Sequence, residues 1–379
     1  MLAFAETKST ANSLKNRNSP QYKAVEWLAQ DKIDNGSNWS GYELLQRYVL
    51  RVLYHSTGGN NWNNGASNAW FRASSVCQWP ASDLYCNGQE VNEIYLWEDN
   101  LRGTIPDELG QLTALNYLNF RNNQLTGTIP SHLGLLTALT ELLLWSNQLS
   151  GTIPSQLGLL IALKDLEVSK SQLTGTIPSH FGQLTALTAL HLHINQMSGT
   201  IPSQLGRLTA LTALVLIHNQ LTGTIPSQLG QLSALTELSL LDNQLTGTIP
   251  SQLGQLTALV WLDLGISQLT GTIPSKLGQL TALTWLELWS NQLTGNIPLS
   301  LTQLTNLNAL WLHSNNLVGQ VPSAFCAAPF PDWGADGISW SGYSLTADCI
   351  SEVQCDCCDS CFDESGNRFC WNGSGFTAC

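Results

Sequence analysis

Apolar and polar positions follow one arrangement from Val91 to about Phe325. The 24-residue unit, as read from Leu115, has an apolar residue, mostly Leu, at relative positions 1, 4 and 6, then the consensus Leu-Thr-Gly-Thr-Ile-Pro at 11 to 16, then Ser-x-Leu-Gly-x-Leu. The first positions are Val91, Leu115, Leu139, Leu163, Leu187, Leu211, Leu235, Leu259, Leu283 and Leu307. The L-x-L part has the two-residue period of a strand, so Leu142 and Leu144 face inward while Leu143 and Trp145 face outward. The second part alternates too, with Leu and Ile inward and both Thr outward. Pro lacks an N–H and ends regular pairing. The following segment suits one helical or 3₁₀ turn closed by Gly. A fixed period of this length predicts a solenoid, in which each unit buries its apolar face only against its neighbours.

Position 9 is Asn in seven units: Asn123, Asn147, Asn195, Asn219, Asn243, Asn291 and Asn315. Its amide is expected to turn inward and satisfy backbone groups where the chain leaves the strand. Asp99, Ser171 and Ser267 stand there in the other units, and those turns need another partner.

The pattern outside the repeats divides the chain into four parts. Residues 1–20 are polar and are expected to form a flexible lead. Residues 21–90 form a helical N-terminal cap, with helical spacing over Tyr22–Gln30 and Tyr42–His55. Residues 91–325 are the ten repeats, and residues 326–379 form a Cys-rich C-terminal cap. A cap covers the strand edge and core that a terminal unit would expose.

The repeat L-x-x-L-x-L-x-x-N-x-L-T-G-T-I-P-S-x-L-G-x-L resembles the plant-type extracellular leucine-rich repeat, over about two thirds of the chain. Gly-x-Ile/Val-Pro recurs in every unit. The resemblance implies an α/β solenoid, a right-handed horseshoe or superhelix with a parallel sheet on its concave side and a second short sheet at Thr-Gly-Thr. It also implies relatives that act by binding, such as receptor-like ectodomains and polygalacturonase-inhibiting proteins. The order of a helix, Asn61-Trp62, Cys77-Gln-Trp79 and Cys86 looks like the N-terminal cap of plant and algal ectodomains of this kind. The opening Ser-Pro-Gln-Tyr-Lys-Ala and the Leu-Gln-Arg-Tyr helix look closest to a family from diatoms and related algae.

Charge and cysteines narrow the partners and the compartment. The net charge is −12 with only 15 Lys and Arg, which argues against nucleic acid and anionic membrane surfaces. Ten Cys lie outside the repeats: Cys77 and Cys86 before them, then Cys326, Cys349, Cys355, Cys357, Cys358, Cys361, Cys370 and Cys379. They read as disulfides closing the two caps, hence an oxidising, extracellular or cell-surface setting. Cys355-Asp-Cys-Cys-Asp-Ser-Cys invites a zinc reading, but a disulfide-knotted cap is favoured, with its pairings open. Sequons at Asn35, Asn38 and Asn372 agree with secretion. No signal-like or membrane-spanning run occurs, so a fragment of a longer ectodomain is expected, with its oligomeric state open.

Ten copies of one unit allow an internal comparison. Framework positions barely change, whereas outward strand positions 3, 5 and 7 change almost every time, and they define the candidate binding face. Six of the 14 Trp stand there: Trp97, Trp145, Trp261, Trp285, Trp289 and Trp311. Tyr95 and Tyr117 join Trp97 and Trp145. Asp263 and Glu287 lie among the other four. Rings flanked by acceptors suit a protein, a peptide or a glycan. His191 and His193 point the same way and suit pH-sensitive recognition or plain polar surface more than a metal.

The carboxylate pairs Glu141/Asp165 and Asp263/Glu287 have glycosidase residue types but are expected on an open ribbon without the burial that would raise a pKa. No G-x-S-x-G, Walker, kinase or HExxH motif occurs. The chain therefore reads as a non-catalytic recognition module with no cofactor. Two alternatives remain. One is a structural cell-surface or matrix scaffold. The other is an ice-binding face, because Thr126, Thr128, Thr174, Thr176, Thr222, Thr224, Thr246, Thr248, Thr270 and Thr272 form T-x-T pairs like those of β-solenoid antifreeze proteins. Successive pairs are expected to repeat in line at about 4.8 Å.

Overall fold

A computed structural model describes residues 1–35, 39, 41–63, 70–71, 75–79 and 83–320, plus the backbone of short strands between 344 and 378. At 34, 35 and 320 only the backbone is described. Six of the ten cysteines (Cys326, Cys349, Cys355, Cys357, Cys358 and Cys379) lie outside the described residues, as do the side chains of Cys361 and Cys370. The three sequon side chains lie outside them too. The chain divides into two compact units, Met1–Leu187 and Thr188–Cys379.

In the first unit, the strands Glu90–Tyr95, Tyr117–Asn119, Glu141–Leu143 and Asp165–Glu167 are parallel and paired in sequence order. In the second, Ala189–His191, Ala213–Val215, Glu237–Ser239, Trp261–Asp263, Trp285–Glu287 and Ala309–Trp311 do the same. Ala213 stands beside Glu237 and Glu237 beside Trp261, so equivalent positions of successive repeats meet across the sheet. Leu at positions 1, 4 and 6 is fully buried in almost every described repeat. A residue in the left-handed region follows each of these strands at position 8, including β-branched Ile194 and Ile266.

The position-9 amides tie neighbouring turns together. Asn243 Oδ1 accepts from Leu221 N at 3.0 Å, and its Nδ2 donates to Leu216 O and Leu240 O at 3.1 and 2.9 Å. Asn123, Asn147, Asn219, Asn291 and Asn315 repeat this bridge. Ser171 and Ser267 are too short for it, and their hydroxyls are buried with no partner among the described residues.

The second set of strands runs Gln220–Thr224, Gln244–Thr248, Gln268–Thr272 and Gln292–Asn296 in the second unit. Here the register differs from the expected in-line ladder. Neighbouring strands are offset, so Thr224 stands beside Thr246 rather than Thr248, and Thr222 beside Gln244. The Thr rows therefore climb obliquely across the strands.

Each 3₁₀ turn, such as Ser251–Gln255, follows Pro. Its Gly does not close it as a left-handed cap. A Cβ on Gly254 would meet Lys276 O at 2.3 Å, so Gly is required by the stacking of successive turns.

The N-terminal region differs from expectation in one respect. Residues 1–20, expected as a flexible lead, contain two short helices, Leu2–Ala5 and Ala11–Lys15. Ala5 and Leu14 are buried with Ala24, Leu28, Tyr48 and Val52. Ser9 bonds to Tyr48 Oη at 2.7 Å and to Glu108, and Gln111 Nε2 donates to Lys8 O at 2.8 Å. The apolar residues are too sparse to show helical period, yet they suffice to cover the helices Pro20–Asn35 and Gly41–Ser56. The second of these helices seals the first repeat: buried Gln46 accepts from Val91 N at 2.6 Å and donates to Gln89 O at 2.9 Å. The strand Leu84–Asn87 pairs antiparallel with Glu90–Tyr95, and a Cys77–Cys86 disulfide holds its approach.

Candidate functional site

Facing outward on a strand does not mean being exposed. The middle column of each strand face, position 5, is flanked by the side chains at positions 3 and 7. It is buried at Asn119, Leu143, Val215, Ser239, Asp263 and Glu287. Two aromatic clusters form on this plan, one in each unit.

In the first unit, Tyr95 stacks on Tyr117 with ring centroids 4.3 Å apart, and Tyr85 meets Tyr95 edge-on at 5.3 Å. Tyr95 donates to Glu93 Oε2 at 2.8 Å, and burial with this carboxylate pushes its phenol pKa up. Arg121 forms an ion pair with Glu167, and Lys170 Nζ lies 5.3 Å from the Trp145 ring centroid. Tyr95, Tyr117, Arg121, Trp145 and Glu167, with half-exposed Trp97, line a shallow depression of about 560 Å³. Asn119 and Asn122 complete its lining. Its one lining carboxylate, Glu167, has the Arg121 guanidinium beside it. Burial and the adjacent Asp165 raise the Glu141 pKa on the same face.

In the second unit, register alone builds the other cluster. Position 3 gives the row Glu237, Trp261, Trp285, Ala309, and position 5 gives Ser239, Asp263, Glu287, Trp311. The Trp261 and Trp285 rings are 6.0 Å apart, Trp289 and Trp311 6.4 Å, and Trp289 stacks on His313 at 5.3 Å. Asp263 and Glu287, expected on an open ribbon, are 2% and 5% exposed. The flanking indoles cover them, and burial raises their pKa values to about 6 and about 7. Ser239 Oγ and Gly265 N donate to Asp263 at 3.3 and 3.1 Å and partly offset its shift. For Glu287, the neighbouring Asp263 charge adds to the rise. The indole N–H groups of Trp289 and Trp261, turned toward this carboxylate, pull it part of the way back.

Gly265 is the residue that sequence reasoning missed here. A Cβ on it would lie 2.7 Å from Trp289 Nε1, so the absent side chain is what lets this indole lie over the neighbouring strand. Among the ten position-7 residues it is the one Gly, a signal visible in the repeat alignment. At the start of the second unit, His191 and His193 have ring centroids 6.1 Å apart. His218 turns instead to Asp242, with Nδ1 to Oδ2 2.6 Å.

The Thr face is locked from inside. Thr246 Oγ1 donates to Gly223 O at 3.3 Å, and Thr126, Thr174 and Thr294 do likewise. The γ-methyl of Thr224 covers Gly247, where a Cβ would lie 2.8 Å from it. Gly247 also has a φ of +74°, so both geometry and contact demand Gly. Packing thus accounts for the uniform Thr-Gly-Thr, while both Thr side chains remain exposed.

The Leucine Rich Repeat family matches residues 114–136, 138–160, 210–232, 234–256, 282–304 and 306–328. No curated protein matches in sequence. Among solved structures, the chain is similar to the ectodomain of the membrane receptor kinase GASSHO1/SCHENGEN3 from Arabidopsis thaliana, solved with CASPARIAN STRIP INTEGRITY FACTOR 2. The identity is 38% over 74% of this chain and 32% of that one, with a TM-score of 0.67. It is similar to the plant peptide hormone receptor RGFR1 in complex with RGF2, at 40% identity over 70% of this chain and 40% of that one, TM-score 0.64. The chain thus spans less than half the length of either receptor chain. A plant ice-binding protein is 28% identical over 76% of this chain and 90% of its own, TM-score 0.62. The repeat, its register and these neighbours are those of a plant-type leucine-rich repeat protein.

Proposed function

We propose that the chain is a non-catalytic extracellular recognition module whose strand face binds a peptide segment of a partner protein, centred on Trp261, Trp285, Trp289 and Trp311. One observation carries the reading: register gathers the partly exposed rings of Trp261, Trp285, Trp289 and Trp311 into one cluster on three adjacent repeats of the strand face. The rings supply contact area at low entropy cost. Two receptor structures similar to this chain hold a peptide hormone or an integrity factor, which supports a peptide over a glycan. The Cys77–Cys86 disulfide supports an oxidising compartment. No helix among the described residues is long and apolar enough to cross a membrane.

The test is a peptide-library binding screen on the full chain beside a Trp285→Ala/Trp289→Ala variant of matched thermal stability. Hits should weaken at least about tenfold in the variant, the loss expected for truncated aromatic anchors. Hits unchanged in the variant would move recognition off this cluster.

The Thr face supports a second reading, ice binding. Its exposed hydroxyls and methyls are held in fixed orientation, and a plant ice-binding protein is similar over most of its own length. Ice-recrystallisation inhibition lost in Thr224→Lys/Thr246→Lys, with melting unchanged, is the outcome that reading requires.

A further inference from the structure

We propose that the aromatic depression of the first unit is a further binding site, for a neutral β-linked oligosaccharide. Its lining falls wholly within residues 95–167, and it stands independently of the peptide reading of the Trp261 cluster.

Register builds a platform of two indoles. Trp97, Arg121 and Trp145 are the position-7 residues of three successive repeats. Their strands are joined by Glu98 N donating to Arg121 O at 3.0 Å and Asn122 N to Trp145 O at 2.8 Å. Trp97 and Trp145 are therefore two strand spacings apart, about 10 Å. Trp97 is 51% exposed. The same column holds Ser169, His193, Ile217 and Gly265 in other repeats, so packing does not require an indole there. Lys170 reaches the Trp145 ring from the following repeat, outside the depression.

Polar groups are fixed beside these rings. Asn119 Oδ1 accepts from Arg121 N at 3.1 Å and its Nδ2 donates to Tyr117 Oη at 3.2 Å, which sets the amide at the floor. Asn122 Nδ2 donates to Glu98 Oε1 at 3.1 Å at the rim. The stacked Tyr95 and Tyr117 rings form the opposite wall. An apolar surface with a few oriented donors and acceptors is the usual make-up of a small-ligand site.

Charge and shape select the ligand. Arg121 is paired with Glu167, so the lining offers a donor and an acceptor without net charge. The neighbouring position-3 row is acidic, since Glu93 stands beside Tyr117, Tyr117 beside Glu141 and Glu141 beside Asp165. A uronate or other anion meets this row, whereas a neutral polyol does not. A pyranose with equatorial hydroxyls has apolar C–H faces that rest on indoles and a rim of hydroxyls that pair with amide, guanidinium and carboxylate. In a β-1,4-linked glucan, alternate sugars present the same face at close to the interval between Trp97 and Trp145. Two sugars of one chain thus rest on both indoles. An extended peptide needs charged or deep apolar anchors, which this shallow, neutral lining does not supply.

The probe is cellohexaose, titrated calorimetrically into the full chain beside α-linked maltohexaose and anionic hexagalacturonate. The indole N–H resonances of Trp97 and Trp145 are followed in parallel. Cellohexaose should bind saturably, shift both resonances and bind about tenfold more tightly than either other sugar, the factor that one well-placed contact makes. Trp97→Ala should weaken it at least about tenfold, the loss expected for a truncated aromatic anchor, with melting unchanged because this ring is half exposed. The Trp285→Ala/Trp289→Ala variant should bind it as the wild type does. No saturable binding, equal affinity for the three sugars, or affinity surviving Trp97→Ala overturns the site. Peptide hits that depend on Trp97 rather than Trp285 overturn it as well. Trp285-dependent peptide hits without cellohexaose binding leave the peptide reading standing and remove only the sugar site.

Discussion

The two aromatic clusters occupy the same repeat positions and end with opposite electrostatics. In the first unit, Glu167 finds Arg121, Tyr95 finds Glu93, and the rings frame a shallow depression. In the second, Asp263 and Glu287 sit side by side under indoles and no Lys or Arg among the described residues answers them. The repeat therefore fixes where a side chain stands and leaves its energetic role to its neighbours. In one cluster Glu167 and Glu93 have partners within the chain; in the other, burial of two adjacent carboxylates raises both of their pKa values.

Neutralising the second cluster should give the largest effect. Asp263 and Glu287 have folded pKa values raised to about 6 and about 7. Between the ordinary carboxylate range and those values the native state holds more protons than the unfolded chain. Stability therefore falls as pH rises through this window and the loss is complete above it. The variant Asp263→Asn/Glu287→Gln should gain about 2–4 kcal/mol at pH 8 and little at pH 4. Urea unfolding at both pH values checks this, and an equal gain at both would dissociate the burial from the charge. The opposite experiment belongs to the first cluster. Arg121→Met strips Glu167 of its ion pair and should cost about 1–2 kcal/mol, held down by the partial exposure of Arg121. A gain there would abolish the contrast between the clusters.

Much of this was legible from residue order. The ten Leu frames, the Asn turns and the parallel register follow from period and alternation, and so does the gathering of four Trp on three adjacent strands. The burial of Asp263 and Glu287 was not legible, because it depends on rings at neighbouring positions closing over the middle column. The oblique Thr rows were hidden as well: a fixed repeat period is silent on whether neighbouring strands pair in line, as Thr224 with Thr248, or offset, as Thr224 with Thr246. The segment 1–20 misled for a third reason, since Ala5 and Leu14 become apolar contacts only once Leu28 and Tyr48 are folded beneath them.

Gly265→Ala is a smaller perturbation of the same site. The added methyl meets the Trp289 indole edge, which must swing away from its neighbour strand. Overpacking of this kind should cost about 1 kcal/mol, the indole being able to move. The Trp289 indole resonance should shift and the near-neighbour Trp311 resonance follow. An unmoved Trp289 would show that the gap has no part in seating it.

The smallest effect distinguishes strain tolerated by the repeat from strain used by the site. Position 8 is left-handed in every repeat, and Ile266 and Ile194 occupy it with φ of +46° and +54°, an unfavourable region for β-branched residues. Asn enters that region more readily, so Ile266→Asn and Ile194→Asn should each stabilise by about 0.5–1 kcal/mol in chemical denaturation. Ile266 directly follows Gly265, and its N–H donates to Trp289 O at 3.0 Å, whereas Ile194 bonds to Ile217 O at 2.8 Å, away from the indoles. Only the Ile266 substitution should therefore disturb the Trp289 resonance. If both substitutions stabilise and neither moves Trp289, the strained turn is a repeat feature alone, and the second cluster owes its arrangement to register and to Gly265.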